Sequence, residues 1–263
     1  MNLQGFWADL PSSSFGDLPA DLVAVLPIGA IEQHGPHLPV SVDRDLIDEV
    51  VKRTFAHLEA SQNVLVLPTL SIAKSGEHDL HAGTLSLKAE TLLAVLGDIG
   101  ASLARASVKR VVLFNGHGGN NAALEIAART MRMDHNMIVA PCSWFGFADY
   151  EDLIKSEDLA EDLHAGDIET SAMLAARPEL VDMHKAQEFR FSDQWQTEST
   201  FIGLTGQPVR PAWIIGDLND WGVCGNAARA TADRGEKLLE SAATNFAKFL
   251  QEFSRFDGRK VSE

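Results

Sequence analysis

Short apolar runs bounded by turn formers alternate along the chain with longer stretches of helical spacing. Residues 22–31 (LVAVLPIGAI) form the first apolar run and predict a buried strand. Residues 43–58 place Leu46, Ile47, Val50, Val51 and Phe55 on one helical face. The alternation continues with strands predicted over 63–70, 109–116 and 136–144, and helices over 87–106 and 121–133. A further helix begins at 168–176 and stops near Pro178. Residues 187–226 are less regular and rich in Gly, Pro and Trp, and a helix from about 227 to 253 closes the pattern. This succession predicts an α/β fold with a mostly parallel central sheet and helices on both faces. No repeat, linker or composition break divides residues 1–263, so one domain is expected. In such a sheet, ligands collect outside the carboxyl ends of the strands, which are the places to look for chemistry.

Composition narrows the partners. Lys and Arg number 22 against 37 Asp and Glu, a net charge of −15, which argues against nucleic acid and anionic lipid as partners. Two cysteines, Cys142 and Cys224, are too few for a disulfide scaffold or a Cys-rich zinc site. Cys142 lies in an apolar run and reads as a packed thiol, whereas Cys224 lies in a Gly-rich stretch. No run approaches the roughly 20 apolar residues that span a bilayer. The first residues have neither a basic start nor a sustained apolar run, so a cytoplasmic protein without a signal peptide is expected.

Unusual polar residues stand where the predicted strands end. The first strand runs into Glu32-Gln-His-Gly-Pro-His37, with Asp43 following at the start of the next helix. Residues two apart in an extended segment share a side, so Glu32 and His34 face one space and Gln33 faces away. A carboxylate and an imidazole that converge suit zinc or another transition metal, although Asp43 also reads as a helix cap. The third strand ends in Asn115-Gly-His-Gly-Gly-Asn-Asn121, which lacks both the Lys-Ser/Thr of a phosphate loop and the third glycine of the dinucleotide pattern. Further on, His164-Ala-Gly-Asp-Ile-Glu-Thr-Ser171 sets Glu169 in the first turn of a helix, where the helix dipole alone favours a carboxylate. The segment Ser75–Thr84 adds polar groups at the same edge and reads as substrate shaping or loop structure rather than metal ligation. His57, His135 and His184 read as surface residues. Taken together, Glu32, His34, Asp43, His117 and Glu169 supply two histidines and three carboxylates, an inventory that fits two divalent ions bridged by a carboxylate and a water.

Three of these stretches, residues 26–43, 115–120 and 164–171, closely resemble in order the signatures of the creatininase (creatinine amidohydrolase) family, and the resemblance runs from about residue 20 to 235. It implies a three-layer α/β/α sandwich, a two-metal site, hydrolysis of a carbon–nitrogen bond in a cyclic amide or formamide, and a homo-oligomer, often a hexamer. By the same resemblance Glu32 and Glu169 hold one metal, His34 and His117 the other, Asp43 bridges them, and His164 is catalytic. The expected cofactors are two divalent ions, zinc with manganese or iron, and the expected partner is a small polar substrate. The chain departs from creatininase proper at Gly118 and Gly119, where that enzyme has Tyr and a metal-ligating Glu, and at Ala160 and Leu163, where it has Trp and Glu. These departures imply that the creatinine pocket is not retained. Family relatives with the same Gly-rich loop include a formamide deformylase, a peptide-processing enzyme and a hydrolase that opens a cyclic inosose. A non-enzymatic metal-binding protein is the competing class, and Trp144, Phe145, Trp195 and Trp221 are the loop aromatics available to wall a pocket.

Overall fold

The computed structural model describes residues 3–192, 195, 199–204 and 207–258, apart from the side chains of Glu157 and Ala160. Five strands, β1 (Gln4–Phe6), β2 (Val23–Ile28), β3 (Val64–Val66), β4 (Arg110–Asn115) and β5 (Ile138–Ser143), form one parallel sheet in the order β1-β3-β2-β4-β5. Every residue of β2 and β4 is buried, as expected of parallel strands covered on both faces. The two pair along their full length, from Val23 opposite Arg110 to Ile28 opposite Asn115. Pro27 is tolerated in this central strand because its missing N–H faces β3, which has already ended at Val66.

Alternate strand residues serve opposite layers. Val23, Val25, Val112 and Phe114 pack under α1 (Val42–Thr54) together with the helices introduced below that close the chain. Ala24, Leu26, Val111 and Leu113 pack under α2 (Ala89–Arg105) and α3 (Asn121–His135). After α3 and β5 come α4 (Ser156–Glu161), α5 (Asp167–Ala176), α6 (Ile215–Leu218) and α7 (Ala232–Arg255). Both α5 and α7 lie on the α1 side, where Phe246 of α7 stacks on Phe114 with ring centroids 3.8 Å apart. The result is a three-layer α/β/α sandwich. Among the described residues, no helix is long and apolar enough to cross a membrane.

Some boundaries differ from the sequence expectation for local reasons. Strand β1 is only three residues long at the sheet edge, too short to give an alternating pattern. The closing helix begins at Ala232 rather than near 227, because Thr231 caps it by accepting the Arg234 N–H, and a 3-10 turn occupies Ala227–Arg229. The irregular stretch contains α6 and a two-stranded antiparallel sheet of β6 (Glu188–Phe189) with β7 (Gly225–Asn226). Trp144 is fully buried in the core. His57 is not a lone surface residue, since its Nε2 lies 2.8 Å from Glu240.

The topology fixes where chemistry can occur. From β2 the chain crosses to β3 on one side, then to β4 on the other, so a crevice opens between the carboxyl ends of β2 and β4. Helix α1 begins over that crevice at very short range: a Cβ at Gly116 would lie 2.5 Å from the backbone oxygen of Asp43. Gly116→Ala is therefore expected to destabilise the fold by about 1–3 kcal/mol, the usual cost of overpacking, because backbone rather than a flexible side chain must give way. Denaturant unfolding of the metal-free variant and parent measures this, and an unchanged midpoint would show that α1 slides freely.

Candidate active site

Each donor reaches the crevice from its own element. Glu32 and His34 continue from β2, and the Glu32 N–H bonds Val40 O at 2.9 Å, closing a loop that returns the chain to α1. Asp43 then stands in the first turn of α1, where the helix dipole favours a carboxylate. His117 follows β4 in a loop knitted by two asparagines. Asn115 accepts the His117 N–H and donates to His117 O, while Asn120 donates to Asn115 Oδ1 and to Gly29 O. Glu169 lies in the first turn of α5 and accepts the Ala165 N–H at 2.6 Å. Ala165 sits in the left-handed region at φ 55°, uncommon for a residue with a side chain, and this turn lets His164 and Glu169 face the same space. The backbone of His164 is pinned on its other side by Cys224, through N–H···O bonds in both directions.

The five side chains fall into two groups that share Asp43. Glu32, Asp43 and His117 offer donor atoms to one position, and His34, Asp43 and Glu169 to another. The spacings are 3.2 Å for His117 Nε2–Glu32 Oε2, 3.5 Å for His117 Nδ1–Asp43 Oδ2, 3.6 Å for His34 Nε2–Asp43 Oδ1 and 3.8 Å for His34 Nε2–Glu169 Oε2. The two His34 spacings share one nitrogen and lie close to the ~3.4 Å that separates tetrahedral donors each about 2.1 Å from a shared ion, whereas His117 faces Glu32 with Nε2 and Asp43 with Nδ1, of which one can serve a given ion. The pairing differs from that implied by the resemblance: Glu32 goes with His117 and Glu169 with His34. The cause is topological. Glu32 and His117 end adjacent strands, whereas α5 brings Glu169 from the α1 side to His34.

Protonation follows the crowding. Burial opposes charge on His34 and His117, but adjacent carboxylates outweigh it: Asp43 and Glu169 hold His34 well above its ordinary value, and Glu32 and Asp43 raise His117 to about 9. Burial and the Glu32 charge push Asp43 up to about 6. Burial also disfavours charge on Glu32, yet its imidazole neighbours hold it well below the carboxylate range. In the metal-free protein, protons on two imidazoles thus stand where cations would, and metal binding must release them. Glu32 Oε1, His34 Nε2 and Asp43 Oδ2 are nevertheless buried without a hydrogen-bond partner among the described residues. Unpartnered buried atoms on so many charged groups are costly unless a cation takes the place of the protons, and the donor set of imidazoles and carboxylates fits zinc or manganese. His34 donates through Nδ1 to Glu32 O at 3.0 Å, so Nε2 is the atom whose proton a metal would displace.

His164 lies beside this pair. Its Nε2–H donates to Gln33 O at 2.9 Å, and its Nδ1 is 3.5 Å from Glu32 Oε1. Burial, then the neighbouring His34, lowers it to about 4, so it is a neutral imidazole presenting a lone pair. Its Nδ1 is also near enough to Glu32 and His34 to join a donor group with them.

A creatininase (creatinine amidohydrolase) family model matches residues 8–250. The chain belongs to the creatininase family. It is 33% identical to the creatinine amidohydrolase of Pseudomonas putida over 250 residues, covering 88% of this chain and 90% of that one. It is also 29% identical to the mycofactocin precursor peptide peptidase of Mycobacterium tuberculosis, covering 88% and 86%. Solved creatininases align with TM-scores of 0.72, among them a mutant of Zn–Zn type at 28% identity and a Mn form at 26%, each covering 94% of this chain and 98% of the other.

Several residues of this creatininase-family site escaped sequence reasoning. Gln33 faces away from the donors, as alternation requires, but it is buried and works from behind, donating to Gly222 O at 2.7 Å and to His78 Nδ1 at 2.9 Å. His78 then points Nε2 at Glu32 Oε1 across 3.6 Å, and burial, with His164 next, lowers it to about 2. Ser75 donates to Glu32 Oε2 at 2.6 Å. His37 is buried on Thr170 of α5 at 2.9 Å. The readable signal for His78 and Ser75 was their place after a strand end. Their contact with Glu32 depends on the Leu85 N–H to Ile31 O and Gln33 N–H to Thr84 Oγ1 bonds, which fold residues 70–87 back over β2. The Ala160 side chain lies outside the described residues, and Leu163 packs half-buried with Ile215 and Leu218, away from the donors.

Proposed function

We propose that this chain is a dinuclear metal-dependent amidohydrolase that cleaves a non-peptide carbon–nitrogen bond, cyclic amide or formamide, in a small polar substrate. The observation that carries this reading is the pair of donor groups sharing Asp43 at the carboxyl ends of β2 and β4, with the His164 lone pair beside them. When bound, two divalent ions, zinc with manganese or iron, would supply Lewis acidity, polarising the scissile carbonyl and lowering the pKa of water in the site. Glu32, Asp43 and His117 would hold one, and His34, Asp43 and Glu169 the other.

The chain's own residues account for the rest. Three buried carboxylates offset three of the four positive charges, so the site favours an anionic transition state. Water forms its bond to the carbonyl carbon and gives a proton to His164 Nδ1. The carbon–nitrogen bond then breaks, and the same nitrogen of His164 returns the proton to the leaving amine. Gln33 O, by accepting from His164 Nε2, holds the ring in the required tautomer throughout.

A second reading keeps the chemistry and changes the substrate to a peptide. It is favoured by exposed apolar side chains around the site: Leu80 in the loop that carries His78, and Trp221 beside the Gly222 that binds Gln33. The likeness to a peptidase supports it too.

The test is metal analysis of the purified protein followed by a screen of lactams, formamides and short peptides. We expect about two ions per chain and turnover on an amide in that set. Creatinine should be a poor substrate, because Gly118 and Gly119 replace the larger loop residues of creatininase proper. Creatinine turnover in the ordinary enzyme range, about 1 to 1,000 per second, would contradict that, and a protein without metal would remove the proposal altogether.

A further inference from the structure

Glu77 lies in the loop after β3, outside both donor groups, yet its carboxylate fills space belonging to another residue. A Cβ built on Gly119 would lie 1.9 Å from Glu77 Oε1, 2.9 Å from its Cδ and 2.3 Å from His117 Nε2. Gly119 is not among the glycines with positive φ, so its backbone does not demand glycine; the occupied space does. The adjacent Gly118 would meet nothing within 4 Å. The constraint lies on the side of the loop that faces Glu77 and His117.

The carboxylate is held in that space. Lys74 Nζ binds Glu77 Oε2 at 2.5 Å, which leaves Oε1 facing His117 Nε2 at 3.7 Å. That spacing falls within the range found between donors in the two groups, 3.2 to 3.8 Å. The loop is itself anchored to the site on both sides: Ser75 donates to Glu32, and the Lys74 N–H donates to Asn120 Oδ1 at 3.0 Å. The charge on Glu77 is matched by Lys74, so the pair adds an oxygen donor without changing the net charge of the centre.

We propose that Glu77 belongs to the metal centre, closing the Glu32–Asp43–His117 position on its loop-facing side, and that residue 119 is glycine to admit it. This rests on the two-metal reading above, and the experiment separates the two. The full chain is stripped with a chelator, and Zn2+ or Mn2+ is titrated back in competition with a chromophoric chelator. Wild type, Glu77→Gln and Glu77→Ala are compared.

Wild type should take up two ions. Glu77→Gln and Glu77→Ala should weaken one of them by about 10- to 100-fold, the usual effect of losing a supporting group, and leave the other unchanged. If Glu77→Gln binds both ions as wild type does, Glu77 is only half of a surface ion pair and the proposal fails. It fails equally if both positions weaken together, which would mark a disturbed loop. A wild type that binds no ion overturns the two-metal reading instead.

Discussion

Asp43→Ala is expected to empty both ion positions and to remove activity with them. Asp43 is the one residue common to the two donor groups, and its carboxylate faces His34 with one oxygen and His117 with the other. Losing a group that merely supports a ligand typically costs about 10- to 100-fold in metal affinity; losing a shared ligand should exceed that at both positions. The metal-free protein should respond far less. There burial, and next the negative charge of Glu32, push the Asp43 carboxyl up to about 6, while His34 and His117 attract it, so these effects oppose one another and removing it should change the metal-free stability little. The expected pattern is a metal-free variant that unfolds close to the metal-free parent but gains little stability from added zinc, whereas the parent gains strongly. Elemental analysis and thermal unfolding with and without zinc test this together. A variant that keeps one ion at full occupancy would show that Asp43 serves a single position.

How much of this was legible in the sequence depends on the distance over which each residue acts. Strands β2 and β4 are buried on both faces, so their apolar runs announced them, and the polar residues at their ends stood out as Glu32, His34 and His117. Asp43 and Glu169 were ambiguous because a carboxylate in a first helical turn has a sufficient local reason to be there. Only the crossing of α1 and α5 over one crevice brings them within donor reach of His34. The pairing of donors was not legible at all, because it follows from β2 and β4 being neighbours while β3 lies on the other side. Gln33 shows the limit most plainly. Alternation along the strand correctly turned it away from the donors, but nothing local says that the space behind them is filled by His78, His164 and Gly222. Gly119 is similar in part: beside the nearby His117 ring, its nearest clash is with the side chain of Glu77, 42 residues away in sequence.

The sharpest division of labour is between His164 and Glu169, five residues apart at the start of α5. Glu169 Oε2 lies 3.8 Å from His34 Nε2, at donor spacing, and Glu169→Ala should lose metal along with activity. His164 is different in kind. Its Nε2–H is committed to Gln33 O, its Nδ1 carries a free lone pair, and it is neutral at pH 7 because burial lowers it to about 4. Such a group can take a proton and return it. His164→Ala should therefore keep both ions and the fold and lose about 100- to 10,000-fold in turnover, the usual contribution of a general acid–base group. The competing role is also concrete, since Nδ1 lies within donor reach of Glu32 and His34. Paired metal content and turnover on an amide found in the screen decide between them. Loss of an ion from His164→Ala would make His164 a ligand and move the proton transfer to another group, with His78, which faces Glu32 across 3.6 Å, as the nearest imidazole on the same carboxylate. Full activity in His164→Ala would leave the left-handed turn at Ala165 with a structural role only, that of aiming Glu169 at His34.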